Sequence, residues 1–200
     1  MSNYQTAQEI LGDNFISPLD IPRPGYTPEQ LHSFENGLPN QEELTSLKKN
    51  KMVLIAGPSL PLSLLQVIGS HTSHFHKHAG RSWYEDYNQR FTTLDRVGSN
   101  WIAVSKEPLP GSLRQNLYEQ TKLLGKGPIV ANAAEVAWVL TMYKEVRGVS
   151  MMPTTYTRTF SVTANGDRVD VGGDPIYIFY SEKGERREGL GLVACRRYFF

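Results

Sequence analysis

Two hundred residues suffice for one compact domain that buries roughly 70% of the surface its unfolded chain exposes, so folding requires neither a metal nor a disulfide. Hydrophobic residues make up 40% and charged residues 20%, and 21 Lys and Arg against 20 Asp and Glu leave a formal charge of +1. That balance excludes a chain held to its partner by bulk charge alone. Cys195 is the one cysteine, which excludes an intrachain disulfide and a four-cysteine zinc site, and no apolar run approaches the ~20 residues of a membrane span.

Met1 to Thr6 has neither the basic start nor the apolar core of a secretory signal, and the first basic residue is Arg23. With a single thiol, the expectation is a reducing, cytoplasmic setting. Residues 1–26 read as an extended N-terminal arm lying over the core, with a disordered tail before it. Pro18, Pro22 and Pro24 forbid a helix across 17–26, while Phe15, Ile16, Leu19, Ile21 and Tyr26 give the arm an apolar side. Residues 27–200 read as one domain.

Thr27, Pro28 and Gln30 form a helix start, and that helix ends at Gly37. A second helix runs from Asn40, with Glu42 and Glu43 in its first turn and Lys48 and Lys49 in its last, an order that suits the helix dipole. Met52 to Ala56 is a buried strand, and Leu60 to Ile68 a buried helix ending near Gly69. Residues 70–82 are polar and His-rich. A short helix follows over 83–91. Trp101 to Val104 is a second strand. Ser112, with Gln115 three residues later, starts a helix that ends at Gly125. The strongest helix is Asn132 to Arg147, capped by Asn132 and Glu135, with Val136, Val139, Leu140, Tyr143 and Val146 as its apolar stripe.

Strand texture takes over after Pro153. Strands are expected over Thr154 to Val162, Arg168 to Val171, Ile176 to Tyr180 and Leu190 to Phe199. Asn165-Gly166 and Gly172-Gly173 make the turns, and Glu182 to Glu188 a charged loop. The chain is therefore α+β: a mainly helical N-terminal part with two short strands, then a C-terminal four-stranded antiparallel meander packed on the helix ending at Arg147. Whether the two early strands join that sheet or pair with each other is open at this level.

Four of the five histidines, His71, His74, His76 and His78, fall within eight residues. If 74–78 is extended, His74, His76 and His78 point to one side and could converge on a divalent metal, with Glu85 or Asp86 as a further ligand. No zinc signature has this spacing, and a polar His-rich loop explains it equally. Gly57-Pro58-Ser59, between a strand and a helix, could offer backbone donors to an anion. Lys106 to Ser112 is a second, proline-stiffened loop of the same kind. Cys195 reads as a small core residue rather than a nucleophile. Tyr156, Arg158 and Phe160 share a face by period-two counting and could bind single-stranded nucleic acid by stacking and phosphate contact. Nearby acidic residues dilute that charge, so the electrostatic case for nucleic acid is not strong.

Three segments stand out together: Trp101 to Lys106 with Pro110 to Ser112, Glu135 to Trp138, and Tyr156 to Thr159 with Gly166 to Gly172. Over residues 101–172 the pattern resembles a group of uncharacterised conserved bacterial proteins. The resemblance implies a bacterial protein and supplies no catalytic residue, cofactor or partner. The leading functional expectation is a non-catalytic binding or interaction module without a cofactor or a membrane partner. The alternatives are a metal-dependent, hydrolase-like enzyme using the 71–78 histidines, and a nucleic-acid-binding module using the basic-aromatic sheet.

Overall fold

The structure is a computed structural model that describes residues 2–22, 25–77, 80–182 and 184–200. In chain order its helices and strands are α1 (Asn3–Leu11), β1 (Phe15–Ile16), α2 (Pro28–Asn36), α3 (Gln41–Lys49), β2 (Met52–Ala56), β3 (Leu62–Ser63), α4 (Leu64–Ser70), α5 (Phe91–Leu94), β4 (Arg96–Val97), β5 (Trp101–Ser105), α6 (Leu117–Lys122), α7 (Ala133–Arg147), β6 (Tyr156–Val162), β7 (Arg168–Gly172), β8 (Tyr177–Ser181), β9 (Leu190–Gly191) and β10 (Cys195–Tyr198). The fold is α+β. Among the described residues no helix is long and apolar enough to cross a membrane.

Local capping chemistry sets the helix starts. Thr27 with Gln30, Asn40 with Glu43, and Asn132 with Glu135 each exchange both hydrogen bonds of a capping box. The same device corrects three expectations. Ser2 and Gln5 start α1 where a disordered tail was expected, and Ala7 and Leu11 bury its inner face. Ser63 and Gln66 delay the helix expected from Leu60 until Leu64. Asn116 and Glu119 start α6, whereas Ser112 turns inward and its hydroxyl accepts from the Leu192 N–H at 3.1 Å. The helix expected over 83–91 is a 3₁₀ turn at Trp83–Glu85 followed by α5.

Two four-stranded sheets flank α7. The first has the order β1-β2-β5-β10. β1 lies parallel to β2, while β2 and β10 both run antiparallel to β5. The two early strands thus pair with each other, and the arm contributes β1 to the same sheet. The second sheet has the order β8-β7-β6-β9, an antiparallel meander with β9 added parallel to β6. The single strand expected over 190–199 is split. Leu190 and Gly191 stay with the second sheet, and Cys195 to Tyr198 cross to the first.

α7 touches β5 of the first sheet and β6 and β7 of the second. Every residue from Ala133 to Tyr143 is buried, so the helix is a central pillar rather than a surface helix with one stripe. Trp138 donates its Nε1–H to the Ala56 carbonyl at 3.0 Å, tying the pillar to the end of β2. Glu135 holds Arg197 of β10 through Oε1 at 2.5 Å and Oε2 at 2.9 Å. On the outer side of the first sheet, Trp101 donates to the Phe34 carbonyl at 2.8 Å within a ring cluster of Tyr4, Phe15 and Phe34.

Candidate functional site

A cleft of about 760 Å³ opens where the arm, the loop after β2, the end of α4 and the face of α7 meet. The loop wall is rigid because three side chains hold its carbonyls. Trp138 takes the Ala56 oxygen, the Tyr26 hydroxyl takes that of Gly57, and Gln30 Nε2 takes that of Ser59 at 2.7 Å. Burial, with Tyr4 nearby, pushes the Tyr26 phenol above its ordinary range, so it stays a donor. Position 57 admits only glycine: a Cβ there would sit 2.0 Å from the Gly98 oxygen and 2.8 Å from that of Asn100.

The opposite wall carries the chemistry. The chain leaves α4 through His71 into a 3₁₀ turn at Thr72–His74. Three residues per turn align positions 71 and 74 on one side. Both imidazoles reach Glu145 of α7: His71 Nδ1 lies 2.9 Å and His74 Nε2 3.1 Å from the same oxygen, Oε1. A carboxylate only accepts, so each ring donates an N–H to it. In a neutral His71 this contact puts the proton on Nδ1 and leaves Nε2 as the acceptor, on a ring that lines the cleft edge-on to Trp138 at 6.2 Å.

This is a different grouping from the one period-two counting gives. The 3₁₀ turn replaces an extended backbone at His74. From Phe75 the chain does extend, bridging to Ile176, and His76 stacks on Tyr177 at 4.3 Å. His74 and His76 therefore go to different partners, and His78 lies outside the described residues. Glu85 and Asp86 are used within turns, accepting from the backbone N–H groups of Ser82 and Asn88. Among the described residues no group of three or more His, Cys, Asp or Glu side chains is arranged to hold a metal ion.

The sheet residues considered for nucleic acid are not presented together either. Arg158 is 1% exposed and its guanidinium is used internally. It donates to the Gln115 carbonyl at 2.8 Å, Gln120 Oε1 at 3.0 Å, Ser181 Oγ at 3.3 Å and the Glu185 carbonyl. Phe160 is 66% exposed under the Arg168 guanidinium, past an irregularity in the β6–β7 pairing that follows Arg158. Tyr156 belongs to a separate ring cluster with Tyr177 and Phe179. Cys195 is fully buried, and burial raises its thiol far above the ordinary value, with Glu135 adding to the rise, so it serves as core.

The cross-strand partner of Arg158 is Asp170, which in turn opposes Phe179. Asp170 is 2% exposed, with the Ser181 hydroxyl and Arg158 as its polar neighbours. Burial pushes its carboxyl up to about 7, although the Ser181 hydroxyl and the charge of Arg158 pull the other way. It borders a small hollow of about 210 Å³ with Tyr156, Phe179 and Arg187.

Compared with family models, with curated proteins and with solved structures, the chain matches none. The residues that sequence reading missed are Glu145, Trp138 as a cleft wall, and Asp170. No local spacing marks Glu145, since its histidine partners are 71 and 74 positions away.

Proposed function

We propose that the protein is a binding module for a small polar molecule, and that the cleft beside His71 is its site. The observation that carries the reading is the orientation of His71. A carboxylate on Nδ1 leaves Nε2 as an acceptor on the wall of a cleft whose volume falls in the ~300–1,000 Å³ of small-molecule sites. Tyr26 and Trp138 supply flat apolar surface, and His71 favours a ligand that offers an O–H or N–H.

A fragment screen by thermal shift on the wild type and on His71→Ala tests this. Hits should lose about tenfold in affinity in the variant, the effect of one hydrogen bond near the upper end of its usual range. Nitrogen-15 spectra should show His71 protonated at Nδ1. The reading fails if no fragment binds, or if every hit binds both proteins equally. The same imidazole–carboxylate pair is the base and its orienting group in proton-transfer sites. Turnover of a captured ligand, lost in both His71→Ala and Glu145→Gln, would make the module an enzyme.

A further inference from the structure

A formal charge of +1 hides an uneven distribution. A groove of about 590 Å³ runs between the end of α3, the loop after β5 and the stretch following α6. Lys49, Lys51, Lys106, Lys126 and Arg196 line it, against a single acid, Glu107. A second hollow of about 370 Å³ shares Lys126 and Arg196 and continues along β10 to Tyr198 and Phe199. The two form one trough.

Among the described residues none of these five cations enters an ion pair, while the Lys106 ammonium lies over the Tyr143 ring at 5.1 Å. Among the described residues, the ion pairs of this protein involve other side chains: His71 and His74 with Glu145, Arg114 with Glu188, Lys144 with Asp174, Arg186 with Glu119, Arg187 with Glu185 and Arg197 with Glu135. On the β10 wall the Tyr198 hydroxyl is half-buried beside Arg196, its hydrogen-bonding neighbour, with Glu43 also acting on it. Lys51 has φ +50°, the left-handed conformation that favours glycine, at a cost of about 1 kcal/mol for a side chain. Its side chain nevertheless lines the groove.

We propose that this trough binds single-stranded nucleic acid. The five cations meet successive phosphates, and Phe199, 74% exposed at the far end, offers a face on which a base stacks. The charges extend over two confluent hollows, more than one phosphate group would use. The surface is concave, which suits a strand better than a flat anionic membrane. This site is separate from the His71 cleft, and neither reading depends on the other.

Fluorescence anisotropy with a labelled 15-nucleotide oligothymidylate, titrated from 50 to 200 mM NaCl, tests the proposal. Five phosphate contacts on a single strand correspond to a log–log salt slope of about −3.5, hence about a 100-fold loss of affinity over that range. Lys51→Gln with Lys106→Gln should flatten the slope to about −2. Phe199→Ala should weaken binding with the slope unchanged, and Arg186→Gln, outside the trough, should change neither. No binding at 50 mM salt with 100 μM protein overturns the proposal. So does a slope indifferent to the lysine substitutions, or tighter binding to a duplex, to phosphatidylserine vesicles or to an acidic peptide.

Discussion

Asp170 makes the stability of this protein depend on pH in an unusual direction. Its carboxyl is raised to about 7 in the folded chain and returns to about 3.9 on unfolding. Because the folded value is the higher one, the favourable contribution is complete below about pH 4 and is lost as pH rises through about 7. The gap corresponds to an upper bound of about 4 kcal/mol, since one pH unit of difference is about 1.4 kcal/mol. Asp170→Asn keeps the shape of the neutral acid and removes the ionisation. It should lie within about 1 kcal/mol of the wild type at pH 4.5 and exceed it by about 2–4 kcal/mol at pH 8. Urea unfolding followed by circular dichroism at pH 4.5, 6, 7 and 8 measures both proteins. Taking their difference cancels the titration of every group the substitution leaves alone. A difference that stays flat with pH, or an Asn variant increasingly less stable toward pH 8, refutes the argument. Either result would mean that Arg158, already satisfied by carbonyls, holds the Asp170 charge more firmly than burial opposes it.

Two further outcomes check the frame around the candidate site. Gly57→Ala should cost about 3 kcal/mol or more in urea unfolding, because its methyl group meets two backbone oxygens that belong to a loop and cannot step aside; a loss below about 1 kcal/mol would show that the loop yields. Cys195 should not react with a disulfide reagent at pH 8 in the native protein and should react fully in urea, and fast native labelling would contradict its burial at the start of β10.

Features written in adjacent residues were legible in the sequence. The Thr27, Asn40 and Asn132 caps find their hydrogen-bond partners three residues on, and Met52 to Ala56 and Trp101 to Val104 are short apolar runs of strand length. What depended on distant partners was not. Ser112 carries the same capping pattern as Asn116, but its hydroxyl goes to Leu192, so tertiary contact overrides a valid local signal. The histidine cluster was visible and its geometry was not. Period-two counting selects 74, 76 and 78, whereas the 3₁₀ turn selects 71 and 74, and Glu145 lies on a helix whose pattern only reports an apolar stripe. Arg158 looked like a surface cation by alternation; the loop carrying Glu185 and the turn at Gln115 cover it. Net charge could not reveal the basic trough, because it sums over surfaces that a ligand meets one at a time.

The crossing of Cys195–Tyr198 into the first sheet has a consequence for synthesis. β5 offers one edge to β2 and the other to β10, so half of its backbone groups wait for a segment made after the whole second sheet. During translation the nascent chain therefore holds an open, apolar strand border in Trp101–Ser105, of the kind that recruits stray strands. That border closes only when residues 195–198 dock and Glu135 grips Arg197.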